Sequence, residues 1–387
     1  VQSFPFLPQG RKGKSGVKPM TALSSVSFKT PQLVARIIRS VIGIIVVVWA
    51  AMRIYNVLFV NQAYGLDTWV RFGITGLIIG GMYALIAIGY TLVYGILGMI
   101  NFAHGEVMMI GTFGGYFVLE ALAAIPAPTL ANPELNFLNA QPLLSILLAF
   151  LAGTLAASLM GYLLEKIAYR PLRNAPRLAP LISAIGASIF LQNAVQLLFS
   201  PQLRDYTNPD ALARGTGWSI EIAGSQVLVT YTGVLSFVLS ILLMVGLYVL
   251  VQKTRIGRAM RAVAQDKKTA ALMGVDVDAV ISQTFIISGA LAGAAGVMWG
   301  IHNGLVYYFL GFIPGIKAFT AAVLGGIGNI PGAMLGGLVL GLVESIGPAA
   351  LGIDFQLKDV IAFLILVLVL IFRPSGLLGA ASVEEKL

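Results

Sequence analysis

Long apolar runs dominate this 387-residue chain and restrict what it can fold into. Eight of them lie near 37–60, 69–94, 106–125, 142–164, 180–199, 229–251, 281–302 and 357–373, and a Gly-rich ninth covers 318–346. About 20 apolar residues let a helix cross the hydrocarbon core of a bilayer. Eight or nine crossings leave no length for a separate soluble domain. Only 11% of the residues are charged, against roughly 25% in soluble domains. The sequence therefore predicts an all-α fold: a polytopic transmembrane helical bundle of about 8–9 spans, with broken or re-entrant helices.

Several chemistries drop out at once. With no cysteine there is no disulfide framework, thiolate metal site or thiol nucleophile, and two histidines, His104 and His302, do not make a multi-His centre. Gly13-Lys14-Ser15 imitates the end of a phosphate-binding loop, but Pro8 stands where that loop needs its first glycine. Gly326-Ile327-Gly328 fails as a dinucleotide fingerprint because Pro331 occupies the third glycine position. No catalytic residue, metal ligand or cofactor is expected, and the chain is not read as an enzyme. Energy for uphill movement would have to come from elsewhere.

The net charge of +9 follows topology rather than nucleic acid, which is not expected as a partner. The leader carries Arg11, Lys12, Lys14, Lys18, Lys29, Arg36 and Arg39. Loop 165–180 carries Lys166, Arg170, Arg173 and Arg177, and loop 252–278 carries Lys253, Arg255, Arg258, Arg261, Lys267 and Lys268. Segments 125–141 and 200–228 hold only Arg204 and Arg214, against Glu134, Asp205, Asp210 and Glu221. Positive charge in short loops marks the cytoplasmic side, so the three basic regions are placed there. The organisation expected is a disordered basic cytoplasmic leader (1–35), an extra N-terminal span (36–65), a transmembrane domain (66–380) and a cytoplasmic tail (381–387). The apolar stretch Val41–Ala51 follows basic residues as in a signal peptide, but Met52-Arg53 offers no small-x-small site. The first span is therefore read as uncleaved.

The run Leu324-Gly325-Gly326-Ile327-Gly328-Asn329-Ile330-Pro331-Gly332 is too rich in Gly and Pro for one helix. Freed backbone groups at membrane depth must be buried in protein or line a cavity. Two half-helices meeting at Asn329-Ile330-Pro331 are expected, with 357–373 running inward to a cytoplasmic C-terminus near Arg373.

Candidate path residues follow from polar groups in apolar surroundings. Gly76, Gly80, Ala84, Ala87 and Thr91 share a helix face suited to close packing, as do the pairs Gly111/Gly115, Gly289/Gly293, Gly296/Gly300, Gly332/Gly336 and Gly337/Gly341. Tyr83, Tyr90 and Tyr94 stand on the neighbouring face and either line a path or make ordinary interhelical contacts. Asn101, His104 and Glu106 interrupt an apolar hairpin. They suit helix capping and dipole compensation, or a place in the path, and the two are compatible. Ser188, Gln192 and Gln196 repeat every four residues beside Asn193, a neutral lining or an interhelical hydrogen-bonding stripe. Asn329 sits at the expected break. Glu344 is an acid deep in the C-terminal apolar region without an assignable partner.

The loop 252–278 carries a further signal. Asp266 suits an N-cap, Lys267 to Met273 make about two helical turns, and Gly274 suits the position after the helix. Ala270, Ala271, Leu272 and Met273 form an apolar tip beyond a basic collar that includes Arg258 and Arg261. So short a helix cannot bury that tip against itself, which asks for a partner's groove.

Longer motifs are similar to a known family. Tyr83-Ala84-Leu85-Ile86-Ala87, Asn101-Phe102-Ala103-His104-Gly105-Glu106, Tyr169-Arg170-Pro171-Leu172-Arg173 and Arg255-Ile256-Gly257-Arg258-Ala259-Met260-Arg261-Ala262 resemble the permease subunits of branched-chain amino acid ABC importers. So do the run from Lys317 to Gly328 and the tail Arg373-Pro374-Ser375-Gly376-Leu377-Leu378-Gly379. The likeness is continuous from about residue 66, and within the family it is to the LivH-type subunits. The resemblance implies a multi-pass permease of the bacterial inner membrane with several partners: a second permease subunit of related sequence, two cytoplasmic ATP-binding subunits, an extracytoplasmic solute-binding protein and an amino-acid substrate. It implies that the helix near 266–274 docks in an ATPase cleft. Urea or another small neutral solute is the alternative cargo, and a self-sufficient channel or ion-coupled carrier is the alternative mechanism.

Overall fold

The computed structural model describes residues 30–128, 135–173, 175–176 and 178–379. The expected leader up to residue 29 and the tail from residue 380 lie outside them. Contacts divide the chain after Val47. Residues 30–47 are one helical stretch, the first part of α1 (Thr30–Tyr55), which continues as a π turn over Asn56–Val60. The second unit holds everything else.

Its helices are α2 (Leu66–Leu97), α3 (His104–Ala123), the single turn α4 (Phe137–Ala140), α5 (Pro142–Leu164), α6 (Leu178–Phe199) and α7 (Tyr231–Lys253). Then come the short α8 (Arg255–Gln265) and α9 (Lys267–Leu272), α10 (Val277–Asn303), α11 (Phe312–Gly325), α12 (Ile330–Leu351) and α13 (Lys358–Phe372). Four short strands accompany them. β1 (Arg204–Asp205) pairs antiparallel with β4 (Leu305–Val306), and β2 (Gly217–Ile222) forms a hairpin with β3 (Ser225–Thr230). Among the described residues, nine helical segments are long and apolar enough to cross a membrane, and α11 is a shorter apolar helix. The protein is a polytopic helical bundle.

Local chemistry sets the helix ends. Gly98 closes α2 at φ +69°, and Thr230, Asp276 and Asn329 cap α7, α10 and α12 through side-chain oxygens. The core is the seam between α2 and α12. Cβ atoms added at Gly76 and Gly80 would each lie 2.9 Å from an α12 backbone atom, Leu342 Cα and Leu338 Cα respectively. Ser345 Oγ donates to the Phe72 carbonyl at 2.7 Å. The residue order shows the two helices running antiparallel. The small-residue face of α2 is thus packing, as its spacing suggests. Gly289 and Gly293 of α10 meet Ala157 and Gly153 of α5 in the same way.

The Gly-rich region departs from expectation. Its break falls at Gly326–Asn329, with φ of +107° at Gly326 and +92° at Gly328. Beyond the break runs a full 22-residue helix, not a half-helix, and Pro331 stands in its first turn, where a missing N–H costs nothing. Of the two helices flanking the break, α11, with 14 residues, is of half length.

Two basic regions share one end of this unit. Arg170 of loop 165–177 bonds Asp278 at the start of α10 at 2.6 Å, and Arg173 pairs with both Asp278 and the buried Glu165. Ser282 donates to the other oxygen of Glu165 at 2.8 Å.

Candidate translocation site

The interrupted hairpin after α2 does two jobs. Asn101 Oδ1 accepts from the Ala103 backbone N–H at 3.0 Å and from the Tyr169 hydroxyl at 2.8 Å, which fixes the turn leading into α3. His104 is buried. Its ring meets Tyr90 edge to face at 4.8 Å between centroids, and Nδ1 lies 3.4 Å from Ser288 Oγ. Neither residue lines the cavity or the vestibule described below, and their surroundings are those of helix and loop packing. Glu106, in the first turn of α3, differs. It is 1% exposed, its Oε1 accepts from Gln192 Nε2 at 2.7 Å and Ser188 Oγ at 3.3 Å, and its Oε2 has no partner.

Glu106, Ser188 and Gln192 face a cavity of about 300 Å³ whose other walls are Tyr90, Phe102, Gly105, Ile185, Ile189, Gly311, Phe312, Gly315, Ile316 and Phe319. Two helix starts therefore converge, those of α3 and α11. Glycine makes that possible, since a Cβ added at Gly105 would strike the Gly311 carbonyl and lie 3.1 Å from Gly315 Cα. A narrow space of about 10 Å³ adjoins it, lined by Tyr90, Tyr94, Ile100, Phe319, Ala322 and Ile327. Beyond it Tyr94 and Ile327 belong also to a vestibule of about 660 Å³, which Gln252 and Arg261 of the basic loop and Pro374, Ser375 and Gly379 of the C-terminal segment help enclose. The cavity, the narrow space and the vestibule thus follow one another, sharing first Tyr90 and Phe319 and then Tyr94 and Ile327, with a neck of aromatic rings between them. There Tyr90 and Phe319 stand 6.0 Å apart and Phe102 and Phe319 5.9 Å apart.

The remaining path candidates are scattered. Gln196 is half-buried, one turn beyond Gln192 and outside the cavity wall, while Asn193 turns outward and donates to the Ile189 carbonyl. Asn329 accepts from Gly332 N–H as the cap of α12, donates to the Leu378 carbonyl at 2.6 Å and borders the vestibule. Tyr83 is fully buried against Trp299, with Lys317 Nζ 5.8 Å from its ring centre. Lys317 is the partner that Glu344 lacked in the sequence. They pair at 2.7 Å, both 4% exposed, with Asp359 of α13 at 2.5 Å from the same ammonium. The aromatic neck carried only half a sequence signal: Tyr90 and Tyr94 stand at helical spacing, but Phe319 lies on a different element.

At the basic-loop end, Asp266 Oδ1 accepts from the Lys268 N–H at 2.9 Å and caps α9. The Thr269 hydroxyl, then the backbone N–H groups of Lys268 and Thr269, hold the Asp266 carboxyl below the usual range. Gly274 takes φ +84° after the helix. Ala270 is buried, whereas Ala271 is exposed and Leu272 and Met273 are 87% and 80% exposed. Arg261 points back and bonds the Val251 carbonyl, and Arg258 is exposed.

Comparison with known proteins agrees with this architecture. Residues 73–370 match the family model of the permease component of branched-chain amino acid transport systems. The chain is 48% identical over 312 residues to the high-affinity branched-chain amino acid transport system permease protein BraD of Pseudomonas aeruginosa, covering 81% of this chain and 96% of that protein. It is 44% identical over 313 residues to LivH of Escherichia coli K12, covering 80% and 95%. A probable branched-chain amino acid transport permease protein, LivM of Methanocaldococcus jannaschii, is 24% identical over 329 residues, 77% of this chain and 90% of the relative. No solved structure matches the chain. With nine apolar helices and permease relatives, this is a multi-pass protein of the bacterial inner membrane. The chain belongs to the branched-chain amino acid transport permease family.

Proposed function

We propose that the chain forms the solute path of an ATP-driven importer of branched-chain or other neutral amino acids, beside a second permease of related sequence. Two cytoplasmic ATPase subunits would power it and an external binding protein would deliver the solute. The observation that carries this reading is the line of spaces from the polar cavity, through the Tyr90–Phe319 neck, to the vestibule beneath the basic loop. A path shut at one point and widened on either side is the form that alternating access needs, and broken helices at the shut point allow it to move. Arg258, Arg261 and the loop 252–278 lie on the cytoplasmic side by the positive-inside rule. The exposed tip Ala271-Leu272-Met273 is the knob an ATPase cleft would hold.

Vesicles test it. Leucine uptake should require the ATPases, ATP and the binding protein, and the purified chain alone should accumulate nothing; accumulation by the chain alone would refute the reading. In the same vesicles, Phe319→Ala should open the neck and produce passive leucine efflux without ATP. A tight Phe319→Ala protein would remove the neck from the path.

A further inference from the structure

Glu106 Oε2 is a carboxylate oxygen with no donor, in a side chain 1% exposed. A buried charge left so is costly unless something supplies hydrogen bonds. The cavity wall holds no cation, since its thirteen residues include no Lys, Arg or His, and its donors Ser188 and Gln192 are engaged with Oε1. The positive group must come with the solute.

The same cavity has a positive pole. α11 begins there at Gly311 with no side-chain cap and no acid in its first turn. Pro314 carries no N–H and the Phe312 N–H bonds the Phe309 carbonyl, so the N–H groups of Gly311 and Ile313, with the dipole behind them, are what this helix start offers an anion. Gly311 and Gly315 pack directly on Gly105, the residue before Glu106, so the two poles are neighbours. Around them stand Ile185, Ile189, Ile316, Phe102 and Phe319, an aliphatic and aromatic wall without charge.

From this arrangement we infer that the cavity is a binding station for a zwitterionic amino acid: Glu106 receives the α-ammonium, the start of α11 faces the α-carboxylate, and the isoleucine wall takes an apolar side chain. The inference rests on the reading of the chain as an amino-acid path and adds the recognition chemistry. Gln192 and Ser188 are positioning residues, since they hold Glu106 by its other oxygen. A solute without an ammonium leaves Oε2 unmet. A charged side chain finds no partner in the wall.

The absence of cysteine makes the test direct. In an Ile185→Cys chain, assembled with its companions in membrane vesicles, a methanethiosulfonate reagent labels one thiol in the cavity wall. Millimolar leucine should slow labelling. 4-Methylpentanoate, which lacks the ammonium, and 3-methylbutylamine, which lacks the carboxylate, should protect at least about tenfold less well, the worth of one charge-assisted contact. Glu106→Gln, which keeps the side chain's shape, should remove leucine protection by a similar factor, and Glu106→Asp should restore part of it. Equal protection by leucine and 4-methylpentanoate would overturn the inference without any change at Glu106, as would full leucine protection in Glu106→Gln. ATP-dependent leucine uptake is read in parallel. Its absence from the fully assembled wild-type transporter would sink the importer reading, whereas uptake without ammonium-dependent protection would sink only the station.

Discussion

Leu272→Asp should abolish ATP-driven uptake while leaving the chain folded. Leu272 is 87% exposed at the tip of α9, so within the chain the substitution disturbs almost nothing. In a docked complex the same side chain would lie in a partner's cleft. Burying a leucine is worth about 1.5–3 kcal/mol, and forcing an unpaired carboxylate into an apolar groove adds a penalty of a few kcal/mol more. Together these predict an association with the ATPase subunits weakened by more than about a hundredfold. Co-purification from detergent should fail and leucine uptake should fall with it, at unchanged thermal stability of the isolated chain. Met273→Asp, 80% exposed, should behave alike. Lys268→Asp is the control: exposed on the same helix but outside the tip, it should have a much smaller effect. Normal co-purification and uptake by both tip variants would remove this helix from the coupling mechanism.

The knob was legible in the sequence because it is local: a cap, two turns and a glycine within nine residues specify it without help from the rest of the chain. The α2–α12 seam was half legible. Gly76/Gly80 and Gly337/Gly341 each announce a close approach, but nothing in either helix says that they approach one another. The Lys317–Glu344 pair shows the same limit. A lone acid at membrane depth demands a partner, and the partner sits 27 residues away on a helix whose separateness depends on the break at Gly326–Asn329. That break was expected at Asn329-Ile330-Pro331 because Gly and Pro weaken helices. Position within the helix decided otherwise: Asn329 caps, Pro331 fits the first turn, and two positive-φ glycines absorb the bend.

Among the path candidates the sequence separated types but not directions. Ser188 and Gln192 share a face by four-residue spacing and reach Glu106, whereas Asn193, one residue on, is turned about 100° away and satisfies itself on its own helix. Asn101 and His104 looked like Glu106 in the sequence because all three are polar residues in one short apolar hairpin. Tertiary contacts distinguish them. Asn101 bonds Tyr169, His104 packs on Tyr90 with Nδ1 near Ser288 and Nε2 unbonded inside the packing, and Glu106 keeps an oxygen free in a cavity. No periodicity could have placed Phe319 opposite Tyr90, because that juxtaposition exists only once the start of α11 has been drawn against the start of α3.

Gly341→Ala should strongly destabilise the bundle. A Cβ there would lie well inside contact distance of Gly80 Cα and N and of the Gly76 carbonyl. All three are backbone atoms of α2, with no flexible side chain to move aside, so the helices must separate along their whole contact. In a bilayer, lipid competes for every apolar surface, and close packing is what holds two helices together. Overpacking a well-packed core costs about 1–3 kcal/mol, and a clash of backbone on backbone belongs at the upper end. Gly347→Ala, on the same helix, is the control. Its added Cβ meets Ile361 Cδ1 at 3.4 Å, an ordinary contact, and alanine favours the helix by about 0.5–1 kcal/mol over glycine. Thermal unfolding followed by fluorescence-detected gel filtration should therefore show Gly341→Ala melting well below the wild type, with Gly347→Ala at or slightly above it. The consequence reaches the site, because α2 carries Tyr90 into the neck while α12 is joined directly to α11, which carries Phe319. Loosening the seam should thus raise passive leucine efflux even in the fraction of Gly341→Ala that remains assembled. Equal melting temperatures for the two variants would show that the seam is not what holds these helices, and the geometry assigned to the neck would lose its support.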